Sequence, residues 1–195
     1  MKKLILFLFS IFMMLGCHNS KQSNSENSTI KKASIEHEET KDITANNNIM
    51  MNRLQFSIEI KADKENIWKA IWEDTYYRDW SGVFDEGSHY VVENWKVGNK
   101  IMFLGSDKSG IYSIIEKYVP NEIIQFKHIG TVINGKEQPI DDEVKKWSGA
   151  MESYSLIEGS GYFTLLIEID VLDEHVEFMS AKLPIALEKI KKNSK

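Results

Sequence analysis

The stretch from Tyr162 to Lys192 reads YFTLLIEIDV–LDEHVEFMSAKLPIALEKIKK, and it changes period halfway. In its first ten residues Phe163, Leu165, Ile167 and Ile169 alternate with Thr164, Leu166, Glu168 and Asp170. A period of two is the mark of a strand with one buried face. From Val176 the period lengthens: Val176, Met179, Leu183, Leu187 and Ile190 are spaced by three or four, which puts them on one stripe of a helix. Asp173 and Glu174 open this helix, while Lys189, Lys191 and Lys192 close it, as its dipole favours. Pro184 removes one backbone donor, so a kink or a second segment is expected there. A strand leading into a long amphipathic helix places that helix against the sheet the strand belongs to.

The same period of two recurs upstream. Leu54, Phe56, Ile58 and Ile60 form the apolar face of one strand. A short helix follows, with Asp63 as N-cap and Ile67, Ala70 and Ile71 at helical spacing beside Trp68 and Trp72. TYYRDWSGVF, from Thr75, reads as a second short helix or turn. Strands then dominate: SHYVVENW, KIMFLGS, GIYSIIEKYV, EIIQFKHIGTVI, WSGAMESYSLI and YFTLLIEIDV. Turn signals separate them, at Gly98-Asn99, Asp107 to Gly110, Pro120-Asn121, Asn134-Gly135 and Gly159-Ser160-Gly161. The order is strand, two short helices, about six antiparallel strands, long helix. That is an α+β design, a curved antiparallel sheet wrapped around its last helix. Such a sheet can leave an apolar cavity of roughly 300–1,000 Å³ beneath the helix.

The N-terminus has a different character. Lys2 and Lys3 precede an apolar run from Leu4 to Leu15, broken only by Ser10, and then come Gly16 and Cys17. The run is shorter than the roughly 20 residues needed to span a bilayer and has the length of a signal-peptide core. Cys17 is the single cysteine of the chain, so no intramolecular disulfide can form. Lys2 to Cys17 resembles the signal peptide of bacterial lipoproteins. It departs from that pattern at Met14, where a leucine is usual, and at Leu15, where a small residue is usual. The resemblance implies cleavage after Gly16 and a lipid on Cys17, which would hold the chain to a membrane of the bacterial cell envelope. His18 to Asn48 is rich in Ser, Asn, Lys and Glu without any aromatic residue, and a disordered tether is expected. Within it, His37, Glu38 and Glu39 read as a solvated charge cluster. Three segments result: a signal peptide 1–16, a tether 17–50 and a folded domain 51–195. Translation from Met50 or Met51 would instead give a cytoplasmic domain without the leader.

The formal net charge is -5, and residues 51–195 hold 18 Lys and Arg against 24 Asp and Glu. A phosphate backbone is repelled by such a surface, so no nucleic-acid partner is expected. The sequence contains no Gly-x-Ser-x-Gly, no glycine-rich phosphate loop and no His-Glu-x-x-His, so neither a metal nor a cofactor is expected. Two side chains are candidates for acid–base work: His128, which shares a strand face with Ile124 and Phe126, and Glu152, in line with Tyr154. His89 reads as solvent-facing. All five tryptophans fall in the domain. Trp80, Trp95 and Trp147 lie at strand or loop edges, where large rings can line a ligand pocket. Phe84, Met102, Phe126, Tyr154, Phe163 and Met179 complete the candidate ligand-binding set, while Trp68 and Trp72 read as core.

Several phrases in their order carry a second resemblance: IKADKENIWKAIWED, WKVGNKIMF, GIYSIIEKYVPNEIIQF, GYFTLLIEI and PIALEKIKK. Together they resemble the START-related helix-grip (SRPBCC) superfamily, and within it the homologues of the heat-shock-protein-90 ATPase activator. The resemblance implies the helix-grip fold. It constrains activity little, because the superfamily holds lipid carriers, cyclases, hormone receptors and co-chaperones. The first expectation is binding of a small hydrophobic or amphipathic ligand between the sheet and the last helix. A cofactor-free cyclase or dehydratase using His128 or Glu152 is one alternative, and a co-chaperone-like protein-interaction module is another. A lipoprotein location argues against the last, since the chaperone is cytosolic.

Overall fold

The computed structural model describes residues 35–36 and 51–195. The leader, Cys17 and all but two residues of the expected tether lie outside the described residues. Among the described residues no helix is long and apolar enough to cross a membrane.

The chain runs β1 (Ile35–Glu36), β2 (Met51–Ile60), α1 (Lys64–Trp72), α2 (Asp74–Ser81), β3 (His89–Val92), β4 (Lys100–Leu104), β5 (Gly110–Val119), β6 (Ile123–Ile133), β7 (Lys136–Glu137), β8 (Met151–Glu158), β9 (Phe163–Leu172) and α3 (Val176–Asn193). The strands form one antiparallel sheet in the order β1-β2-β9-β8-β6-β5-β4-β3, with β7 paired beside β6. This is the expected α+β architecture, and its inner face is covered by three helices. The period-two residues do what their spacing demands: Leu54, Phe56, Ile58 and Ile60 of β2, and Leu165, Ile167 and Ile169 of β9, are all buried. β2 and β9 pair along their whole length, from Met51 opposite Leu172 to Ile60 opposite Phe163.

On α3 the stripe Met179, Leu183, Ala186, Leu187 and Ile190 enters the same core as the strands. Asp173 to His175 form a separate 3-10 turn, and the helix proper starts at Val176. Pro184 lies inside one continuous 18-residue helix, so no second segment begins there. The missing donor costs one intrahelical bond. Burial of Leu183, Ala186 and Leu187 on either side holds the helix together across it.

α1 buries Ile67, Trp68, Ala70, Ile71 and Trp72, almost its entire C-terminal half. Asp63 precedes it without a side-chain capping bond, so packing rather than capping fixes this helix. Trp80 of α2 donates its indole N–H to the carbonyl of Ile71 at 2.9 Å, and the Tyr90 hydroxyl donates to the carbonyl of Trp72. These two bonds tie α1 to α2 and to β3.

Two irregularities in the β5–β6 pairing shape the inner face. The register shifts between Tyr112 and Ser113 and again between Ile115 and Lys117. Such bulges bend a strand and re-aim its side chains. The first leaves Ile129 unmatched and sets Ser113 directly opposite His128. Trp147 to Ala150, expected as strand, instead follow a 3-10 turn at Val144–Lys146 and bring the chain to β8 at Met151.

Candidate functional site

The expected ligand-binding residues separate into three places. Trp80, Phe126, Tyr154 and Met179 are buried in the main core, with Phe84, Trp95 and Phe163 packed against it. Trp72 is the hub of this region: its ring lies 5.0 Å from Tyr154, 5.3 Å from Trp95 and 5.5 Å from Phe126. Met102 belongs to a separate cluster with Leu104, Tyr112, Val132 and Ile129 on the outer face of the sheet. Trp147 lines an open pocket, together with His128.

That pocket lies ahead of the first residue of β8, where that strand no longer fills the space between β6 and β9. β6 pairs with β8 only from Ile123 to Lys127. At His128 the backbone N–H donates to the carbonyl of Ala150 at 2.9 Å, and the Gly149 N–H donates to the carbonyl of His128 at 2.8 Å. Gly149 has a φ of +99°, a conformation that side chains disfavour, and this turn carries Trp147 across the gap. The cavity volume of the cleft is about 60 Å³, well below the roughly 300–1,000 Å³ expected of an enclosed ligand pocket, and it opens to solvent. Met51, Ile111, Ala150, Val171 and Leu172 join Trp147 in an apolar wall. Its polar groups are His128, Thr131, Asp170 and His175.

His128 is the second member of a buried polar chain that starts at Ser113. Ser113 Oγ lies 2.8 Å from His128 Nδ1, and His128 Nε2 lies 3.3 Å from Glu152 Oε2. Tyr154 donates its hydroxyl to Glu152 Oε1 at 2.6 Å. Four adjacent inner-face side chains on β5, β6 and β8 are thus linked. Burial, then the charge of Glu152 and the bond to it, push the Tyr154 hydroxyl well above its ordinary pKa, so it remains a donor. Burial and Glu152 push Tyr77 in the same direction. With Nε2–H facing Glu152, Nδ1 is left to accept from the Ser113 hydroxyl. A protonated imidazole would be an ion pair with Glu152. Ser113 is fully buried and does not line the pocket, so His128 alone brings this chain to the cleft.

His175 faces the same pocket from the turn ahead of α3. Burial lowers its pKa, and Glu174, 3.3 Å from Nε2, pulls the other way. His89 sits apart, its Nδ1 3.1 Å from the carbonyl of Gly87. Among the described residues no group of three His, Cys, Asp or Glu is placed to hold a metal ion.

Sequence reasoning singled out His128 and Glu152 and did not find Ser113, Thr131 or His175. The β5–β6 bulge decides which residues face inward there, and no residue type announces it. His175 could have been found from its place one residue before the helix.

No family model matches this sequence, and no curated protein matches it. Solved structures do share its fold. The solution structure of CalU16 from Micromonospora echinospora superposes with a TM-score of 0.54 at 11% identity, covering 87% of this chain and 76% of that one. The Aha1 dimer from Colwellia psychrerythraea gives 0.53 at 18% identity, over 72% of this chain and 93% of that one. DynU16, from the dynemicin biosynthetic locus, gives 0.51 at 11% identity over 72% of this chain, which spans 46% of that protein. These are helix-grip proteins, and the domain described here has the helix-grip fold.

Proposed function

We propose that this domain binds a small apolar or amphipathic molecule without transforming it, in the inner-face cleft between β6, β9 and the turn ahead of α3. The carrying observation is the contrast on one sheet face: the aromatic hub is closed, while beside it a cleft of about 60 Å³, open to solvent, is walled by apolar side chains and a few polar ones and can seat one end of a ligand. Burial of ligand area, at roughly 25 cal/mol per Å², supplies the affinity. The helix-grip fold supports a ligand-binding role. We also propose presentation from a bacterial membrane by a lipid on Cys17, through a tether that ends at residue 50.

Every residue of the main core falls between Leu54 and Ile190, so a protein of residues 18–195 contains the whole of it. Native and denaturing mass spectra of that protein should differ by the mass of a co-purified apolar molecule, and Thr131→Trp, which fills the cleft, should abolish the difference. Bare protein, together with no melting shift from a panel of fatty acids, alcohols and sterols, would refute the binding role. Cys17→Ser in the full chain should release it from membranes; retention would refute the anchor.

The Ser113–His128–Glu152–Tyr154 chain favours a second reading, acid–base catalysis on the bound molecule. Turnover surviving the loss of both His128 and Glu152 side chains would exclude it.

A further inference from the structure

The cleft has one histidine on each of two walls. His128 stands on the sheet and His175 on the turn that leads into α3. The charged groups around it are mostly acidic. Glu174 lies beside His175, and Glu152 beside His128. Asp173 accepts a bond from Asn52. Asp170 is held by Arg53 at 2.8 Å and by the Met151 N–H at 2.9 Å. Among the described residues no lysine or arginine lines the cleft. An anionic head group would meet no cation among these lining residues, whereas a neutral ligand meets apolar walls and two imidazoles.

Resting on the binding role proposed above, we infer that the cleft selects a neutral apolar ligand and that His175 releases it on acidification. The mechanism is competition between ligand and proton. Both ring nitrogens of His175 are already shielded from water, so charging the imidazole requires the turn ahead of α3 to open; a ligand seated against that turn holds it closed and therefore binds the neutral form better. The cost of charging His175 is already visible in the unliganded protein, where burial lowers its pKa. Holding the turn closed lowers that value again, and by linkage the proton weakens the ligand by the same factor. Glu174, whose side chain is 67% exposed, stabilises the imidazolium on the solvent side and favours the charged, released state. On the sheet side the titratable residues lining the cleft are His128 and Asp170, whose carboxylate is engaged by Arg53 and the Met151 N–H. His128 is in turn engaged by Ser113, Glu152 and the ring of Phe103.

The test is a fluorescence titration of residues 18–195 with N-phenyl-1-naphthylamine, a neutral apolar probe, from pH 7.5 to pH 5.5. The dissociation constant should rise by more than about twofold and less than about tenfold over that range, one proton competing with one ligand at a histidine whose pKa lies below the ordinary value. His175→Gln should be flat within about twofold, and Glu174→Gln should move the loss of affinity to lower pH. Dodecanol should displace the probe at lower concentration than dodecanoate. Circular dichroism at both pH values confirms that each variant stays folded; Glu174→Gln, at an exposed position, keeps the test open if His175→Gln unfolds. A pH-independent wild type, an unchanged slope in His175→Gln, or preference for dodecanoate overturns the inference while leaving the binding role standing. No probe bound by the wild type at pH 7.5 overturns the binding role, and the inference falls with it.

Discussion

The inner face of the sheet has two ends with opposite designs. At one, Trp72 meets Trp95, Phe126 and Tyr154 with ring centroids 5.0–5.5 Å apart, and six-membered and indole rings fill the space. At the other, Ile111, Thr131, Ala150 and His175 leave a cleft. One strand, β6, serves both ends, with Phe126 at the hub and His128 at the cleft. What differs is side-chain volume and where β8 begins. Close packing is therefore a local property of this fold, and the transition between the two ends is the polar chain from Tyr154 to Ser113.

The largest effect should come from the closed end. Trp72→Ala removes a buried ring that touches several others and should destabilise the domain by about 3–5 kcal/mol, read from urea unfolding. A loss below about 1 kcal/mol would mean that the hub is not closed and that the contrast between the two ends fails. The boundary comes next. Glu152→Leu leaves His128 and Tyr154 without their shared acceptor and should cost about 1–3 kcal/mol by the same measurement. A neutral result would show that the chain is replaceable by apolar packing. Its function would then be sought at the cleft alone.

The smallest effect concerns neither end. Asp79 of α2 accepts from Lys189 at 2.6 Å and from Asn193 at 2.9 Å on α3, and those bonds hold its pKa below the usual carboxylate value. A lowered folded pKa means the stabilisation is present above about pH 4 and is lost as pH falls through the folded value. Because the side chain is 45% exposed, solvent screening limits the contribution to about 0–1 kcal/mol. Asp79→Asn should narrow the gap between the melting temperatures at pH 6 and pH 3 by a small amount, and no more. A large effect would place α2–α3 docking, rather than the hub, at the centre of stability.

Strand and helix periods carried most of the architecture. β2, β9 and α3 follow directly from where Leu54 to Ile60, Phe163 to Ile169 and Met179 to Ile190 must point. The site was half legible. His128 and Glu152 were recognisable as polar residues on apolar strand faces, and the structure sets them 3.3 Å apart. Trp80, Phe126 and Tyr154 were recognisable as large rings, but a ring type does not say whether it fills a core or lines a pocket. Met102 shows the same limit, since its strand could present it on either face.

By itself the sequence determined the order of elements, the face of each regular strand, the acidic surface and the absence of a disulfide. Each depends on local periodicity or on counting residues. Only the tertiary structure decided that β5 slips one register at Tyr112–Ser113, that β8 begins too late to cover His128, and that His175 meets His128 across one cleft. Those facts depend on how strands and a turn distant in sequence come to lie together. A bulge of one residue reverses which side chains face inward, and no pattern of residue types along a single strand specifies it.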